Sequence, residues 1–358
     1  MNLSRLSLNL RFDKTTLLDP LLTFSRASSA TRVNKTTGLI ELVGPDVPRL
    51  EKDGLLIEDA STNYVPDSIA PNVAVLCTDI PPLLGDKIVR HQYSGSGDTN
   101  LGAAWVTAPA GPVVFSAWIW LRSDQNYTGF GQSMEAGGAQ TTGWPLVVDY
   151  AKRDCWQRVA ISGTSAGETF ACVMRAQSAC VFYSQCWQVE SGSIATSYIP
   201  TYGVPATRAA EICYLLPQAP WFSADTGTLV CDTNTLGTNG NRAFEIGTGN
   251  FATALFIQYV PDGAVFYIFI NGSLQVQTNL DKQPGSKLAL AWKDGKASSL
   301  AQNGNMRDFG NFALPPIEMI AIGCTLNGVS QLNGHIRSLA ILPHDVSDPL
   351  LAAMSEQT

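Results

Sequence analysis

Hydrophobic and polar residues alternate over short stretches along most of this chain. Residues 113–122 are the clearest case. Phe115, Ala117, Ile119 and Leu121 fall on one side of an extended strand, with Ser116, Trp118 and Trp120 on the other. Both sides carry large apolar groups, so this strand belongs in the centre of a sheet, or has one side against a ligand or partner. Further strand-length runs lie at 6–12, 38–43, 54–58, 87–93, 146–150, 157–162, 169–175 and 181–190, parted by turns such as Asp19-Pro20, Gly44-Pro45 and Asp53-Gly54. Hairpins follow. Runs 254–259 and 264–270 flank Pro261-Asp-Gly263, and Asn271-Gly272 turns into 273–278. Runs 287–292 and 296–302 flank Asp294-Gly295, with Asn303-Gly304 behind them. A late strand at 331–342 precedes Ser347-Asp-Pro-Leu-Leu-Ala-Ala-Met354, which reads as a short helix with a capping serine and an early proline.

These elements predict an all-β fold. A chain of 358 residues exceeds one ordinary domain. Residues 1–64 have too few large apolar side chains for a core of their own. They read as an extended N-terminal arm or oligomerisation segment, packed on later domains or on a neighbouring subunit. Residues 65–210 and 211–358 each have the short, regularly spaced strands of a β-sandwich.

Composition narrows the function. Charged residues make up 15% of the chain, below the roughly 25% usual for soluble proteins. A surface dressed with Ser, Thr, Asn and Gln suits an assembly that buries its exterior against partners. The net charge is −7 and no basic cluster occurs, which excludes a phosphate-tracking nucleic-acid groove. No apolar run is long enough to span a membrane as a helix. The first ten residues alternate rather than forming a signal peptide, so synthesis in the cytoplasm is expected. Eight cysteines without CxxC spacing argue against a metal cluster and for free, mostly buried thiols. Cys172, Cys180 and Cys186 are near enough in sequence for one pair to meet across strands. No cofactor is implied, and Asp225, Asp232 and Asn234 are too sparse for a strong calcium loop.

Catalytic patterns are weak. Gly163-Thr-Ser-Ala-Gly167 matches G-x-S-x-G, yet it is expected in a turn between strands rather than at a strand-to-helix elbow. No Glu-x-Asp-x-Glu sets two carboxylates on one strand face as glycoside hydrolysis would need. Asp149 and Asp154 straddle a turn, and Glu135, Glu168 and Glu190 stand apart. The chain is expected to be non-enzymatic. Sugar binding has a better basis, because saccharide ring faces stack on aromatics while amides and charged groups satisfy their hydroxyls. Trp118, Trp120, Tyr127 and Trp144 are the candidates, with packing under a neighbouring loop or subunit as the competing role for the two strand tryptophans.

Several segments carry resemblances. Leu22-Thr-Phe-Ser-Arg-Ala-Ser-Ser-Ala-Thr31, Val47-Pro-Arg-Leu50 and Gly54-Leu-Leu-Ile-Glu-Asp-Ala-Ser-Thr-Asn63 resemble the opening of a group of bacteriophage tail and virion proteins. Residues 113–122, Cys155-Trp-Gln-Arg-Val-Ala-Ile161 and the stretch from Phe182 to Ile199-Pro-Thr201 are similar to a jelly-roll family of carbohydrate-binding modules. In that pattern Trp156 and Trp187 are expected in the core, and Thr207-Arg-Ala-Ala-Glu211 resembles the closing segment. Residues 332–355 follow the end of a concanavalin-A-like, laminin-G-type sandwich. The resemblance implies a virion protein made in a bacterial host, a tail fibre or tail-associated component with lectin-like modules for host-surface glycans. Its partners would be other virion proteins and further copies of itself, a trimer by analogy. The alternative it leaves open is a capsid decoration or head-fibre protein with purely structural sandwiches. A polysaccharide-degrading enzyme is disfavoured by the missing carboxylate pair.

Overall fold

The computed structural model describes residues 7–71, 77–127, 131–135, 140–141, 148–235, 237, 240–249, 252–281, 285–308 and 310–357. Seven short strands come first: β1 (Leu8–Arg11), β2 (Leu22–Ser25), β3 (Ala30–Val33), β4 (Ile40–Val43), β5 (Arg49–Glu51), β6 (Gly54–Ile57) and β7 (Ser61–Asn63). The middle of the chain gives β8 (Val89–Thr107), β9 (Gly111–Leu121), β10 (Gly131–Glu135), β11 (Gln140–Thr141), β12 (Trp156–Ser165) and β13 (Thr169–Ser191). Next come β14 (Ala206–Arg208), β15 (Ile212–Leu215), β16 (Gly227–Thr235), β17 (Asn241–Gly247), β18 (Ala254–Val260), β19 (Gly263–Ile270) and β20 (Ser273–Leu280). The last are β21 (Gly285–Lys293), β22 (Lys296–Gln302), β23 (Asn305–Met306), β24 (Phe312–Ala313), β25 (Met319–Ile322), β26 (Gly334–Leu342) and the helix α1 (Asp348–Met354).

The strands fall into two compact units. One is built from the described residues up to Ser28, from Gly44 to Ala60, and from Ala209 onward. The other takes Ser29–Val43 and Ser61–Arg208. The strands between Leu8 and Asn63 are divided between the two units. β1, β5 and β6 complete one sheet of the first unit, β2 ends the other, and β3, β4 and β7 belong to the second unit.

The first unit is a sandwich of a nine-stranded sheet, β23-β22-β21-β16-β26-β6-β5 with β1 beside β26 and β24 beside β22, and a seven-stranded sheet, β2-β15-β25-β17-β18-β19-β20. Leu229, Leu290 and Leu339 from one sheet meet Phe244, Ile257 and Phe266 from the other in a single apolar core. Remote pieces are stitched at β26, whose one edge takes β6 at Gly334–Ile336 and β1 at Ser338–Ile341. Gly54 opens β6 at φ +127°, and a Cβ there would lie 2.1 Å from the Ile336 carbonyl oxygen, so only glycine fits this junction. The hairpin turns carry the required backbone. Asn271-Gly272, Asp294-Gly295 and Asn303-Gly304 each have positive φ at both residues, the type I′ signature. Ser347 sits at the N-cap of α1, but its side chain makes no capping bond.

In the second unit β8 and β13 are long strands of 19 and 23 residues that run together through several bulges. The first part of β13 pairs with β10 and its second part with β9, all within one six-stranded sheet. Phe115, Ala117, Ile119 and Leu121 face the enclosed core with Val159, Phe170, Met174, Phe182 and Trp187.

Candidate functional site

Alternation in β9 puts Trp118 and Trp120 on the face turned away from that core, each half-buried. Trp118 packs with Leu83, Cys186 and Tyr198, and Trp120 with Cys77, Ile88 and Tyr183. Trp156, opposite Trp120 in the β9–β12 register, joins both groups instead of the core. Its ring meets that of Trp120 edge-on with centroids 5.7 Å apart, and its Nε1 donates to the Pro81 carbonyl at 2.9 Å. Three indoles thus share one face beneath the chain around residues 77–88. The Trp118 Nε1 is buried there with no hydrogen-bond partner.

Tyr127 is placed elsewhere. Its ring packs with the core of the second unit, and the Arg153 guanidinium lies over it at 4.8 Å. Its hydroxyl donates to the Val181 carbonyl at 2.6 Å and accepts from the Arg122 amide at 2.9 Å, and burial pushes its pKa up to about 12. That hydroxyl is committed to the fold. Trp144 lies outside the described residues.

Four charged residues from the recognisable motifs meet in one buried cluster of the first unit. Arg26 Nη1 donates to Glu211 Oε1 at 2.8 Å, while Arg49 spans the same carboxylate, Nε to Oε1 at 2.7 Å and Nη2 to Oε2 at 2.5 Å. The remaining nitrogen of Arg49 reaches Glu58 at 2.8 Å, and the Glu58 amide donates to Glu211 at 3.0 Å. Arg26 spends its other donors on the carbonyls of Ser28, Gly44 and Val47. Burial opposes the charge on Arg49, but the carboxylates of Glu211 and Glu58 outweigh it and hold the guanidinium above its ordinary pKa. The signature arginines and glutamates of the N-terminal and closing motifs are therefore a structural tie.

A second polar and aromatic group lies on the non-core side of the seven-stranded sheet. Glu245, Phe256, Tyr267 and Gln277 stand in register across β17, β18, β19 and β20. The Arg242 guanidinium sits 3.7 Å over the Phe256 ring, bonds Glu245 at 3.1 Å and reaches the Gln258 amide. Phe256 and Phe269 are near-parallel with centroids 6.0 Å apart, and Tyr267 lies beside both. Burial raises the Glu245 pKa, and Arg242 offsets this only in part. Tyr267 and Phe269 are half-buried, so the stack remains reachable at its β19 end. In the sequence, 264–270 reads as a strand beside the turn Pro261-Asp-Gly263, with no separation of its two faces.

The other candidate groups have structural roles. Ser165 ends β12 rather than lying in a turn, and its hydroxyl donates to the Ala108 carbonyl and accepts from the Gly167 amide. Glu190 accepts from Ser61 at 2.7 Å and from the Thr196 amide at 3.0 Å. His91 is buried between the Leu101 carbonyl and Ser184, stacked on Phe182, and burial lowers its pKa to about 4. His335 pairs with Glu51. Asp232, one of the sparse calcium candidates, faces Arg337, and no metal-ligand group of His, Cys, Asp or Glu occurs among the described residues. All eight cysteines are free thiols, with Cys155 exposed and the rest buried.

No protein-family model matches this chain, and no curated protein does. Among solved structures it is similar to the CBM40 carbohydrate-binding module of the Ruminococcus gnavus IT-sialidase bound to α2,3-sialyllactose, with TM-score 0.31 and 15% identity over 37% of this chain and 83% of that one. It is also similar to the leech intramolecular trans-sialidase, with TM-score 0.30 and 16% identity over 38% and 24% of the two chains. The mouse laminin α1 domains LG4-5 give TM-score 0.26 and 10% identity over 78% of this chain and 98% of that one. The sandwich architecture itself rests on the strand registers above.

Proposed function

We propose that this chain is a non-catalytic structural component of a bacteriophage particle, a tail fibre or tail-associated protein whose lectin-like sandwiches attach to host-surface glycans. The observation that carries the reading is the buried tie. Arg26, Arg49 and Glu58 come from the three segments that resemble phage virion proteins, Glu211 comes from the segment that resembles the closing part of the carbohydrate-binding module, and the four form one bonded cluster. The resemblance thus coincides with one physical device that locks a thin N-terminal segment into a later sandwich. Side chains that could have served catalysis, such as His91, Ser165 and Glu190, are engaged in holding the fold. Attachment to glycans is supported by half-buried aromatics on sheet faces, Trp118 and Trp120 in one unit and Tyr267 and Phe269 in the other.

Two measurements test this. Mass spectrometry of purified particles is expected to find the chain, and its absence there would remove the virion reading. A glycan array with the intact protein is expected to give binding. Loss of binding in a folded Trp118→Ala/Trp120→Ala variant would place the site on β9, and retention would move it to the face around Tyr267. The alternative, capsid decoration by sandwiches that bind no sugar, is favoured by the packing of Trp118 and Trp120 against Leu83, Tyr198 and Tyr183. A particle-borne, folded protein that binds no glycan would select it.

A further inference from the structure

Strand edges are the least protected hydrogen-bonding surface of a sandwich, and proteins normally blunt them with charge, proline, bulges or short length. Most edges in this chain follow that rule. β2 has four residues, β5 three and β11 two. β1 carries Arg11, and β8 is broken by register shifts and carries Arg90. β20 is different. It closes the seven-stranded sheet over eight residues, Ser-Leu-Gln-Val-Gln-Thr-Asn-Leu, without a charge or a proline. A single bulge at Gln275 leaves Val276–Leu280 regular against β19. Ser273, Leu274, Gln275, Gln277 and Asn279 are exposed.

We propose that β20 is a self-association edge, at which two copies of this chain pair antiparallel about a two-fold axis through Thr278. The occupant is argued from the strand itself. In that register Val276 faces Leu280 of the second copy, Gln277 faces Asn279, and Thr278 faces Thr278. Apolar groups on the core side meet apolar groups, amides meet amides on the other side, and no charge meets a like charge. Such a contact is isologous and joins the two seven-stranded sheets into one continuous sheet. It is two-fold, unlike the trimer that the resemblance implies, so the measured mass separates the two. It does not depend on glycan binding or on a place in a virion.

The test is sedimentation of the full chain. The wild type is expected at twice the 38.4 kDa chain mass. Gln277→Lys/Asn279→Lys places lysine opposite lysine twice and is expected to sediment as a monomer that still unfolds cooperatively in urea, its midpoint lower only by the loss of the dimer contact. The matching Gln277→Glu/Asn279→Glu chain is expected to be monomeric alone and to restore the pair when mixed with it. A second variant, Thr278→Cys in a Cys155→Ser background, is expected to cross-link under mild oxidation, since directly paired antiparallel residues have disulfide-compatible spacing. A monomeric or trimeric wild type, an oligomer insensitive to the lysines, or a Thr278→Cys chain that does not cross-link would each overturn the proposal.

Discussion

Glu211 and Arg49 meet through two parallel charge-assisted hydrogen bonds, at 2.7 and 2.5 Å, with both side chains sealed from solvent. The same carboxylate takes a third guanidinium bond from Arg26. One carboxylate holding two buried arginines is worth more than a single contact, because its loss takes a shared counter-charge from both guanidiniums in a low-dielectric site and leaves Glu58 to face Arg49. Glu211→Ala is expected to lower unfolding free energy by about 3–5 kcal/mol. Urea denaturation followed by tryptophan fluorescence checks this, and a loss below about 1 kcal/mol would show that the tie is incidental. Arg49→Lys is expected to cost nearly as much, since a single ammonium cannot span both oxygens and reach Glu58.

The junction at Gly54 gives a backbone counterpart. A side chain at φ +127° is strained, and its Cβ would overlap the Ile336 carbonyl on the neighbouring strand. Gly54→Ala is expected to destabilise by at least about 2 kcal/mol. Gly38→Ala has open space around its Cβ and a φ of +71°, so it should cost only the turn strain. Melting curves of the two variants, compared side by side, separate overlap from strain.

Much of this architecture was legible in the sequence, for identifiable reasons. The turns at Asn271-Gly272 and Asp294-Gly295 were readable because positive φ at two successive residues restricts the residue types. The two faces of β9 were readable because a strand alternates. The length of β8 was not. Residues 94–106 are rich in Gly, Ser and Ala and show no strand alternation, and they join the strand because β13 runs beside them, pairing through several bulges. Residues 169–175 and 181–190 read as two strands for a similar reason, since the bulges between them interrupt the pattern without ending the pairing. The motif arginines and glutamates could be recognised but not paired, as Arg26 and Glu211 are joined only by the fold. The aromatic face around Tyr267 was hidden in a run apolar on both sides.

His91 sets an acid limit. It is neutral and fully enclosed in the folded protein, with its pKa lowered from 6.5 to about 4 by burial. Between these values the unfolded chain binds a proton that the folded chain does not, so stability falls as pH drops from about 6.5 to about 4 and levels off below. The full loss from this group is about 3 kcal/mol. Urea midpoints at pH 7, 5.5 and 4.5 check the slope. His91→Gln, which keeps polar contacts without titrating, is expected to flatten that part of the profile while lowering stability throughout.

Trp120 and Trp156 offer the finest test of the tryptophan face. Their edge-on contact at 5.7 Å is a cross-strand pair on a half-buried surface, so it should contribute coupling beyond the area each ring covers. Trp120→Ala alone is expected to cost about 2 kcal/mol, below the full-burial value because one side of the ring is open. Trp156→Ala should cost more, since it also removes the bond to the Pro81 carbonyl and loosens the chain that covers Trp118. A double-mutant cycle is expected to return about 0.5–1.5 kcal/mol of coupling. Additive costs would mean that the two rings contribute only separately to covering this face. The same variants then bear on glycan attachment. If Trp156→Ala exposes Trp118 and strengthens binding on an array, the indole face is a covered site; if binding is unchanged, these rings serve the fold alone.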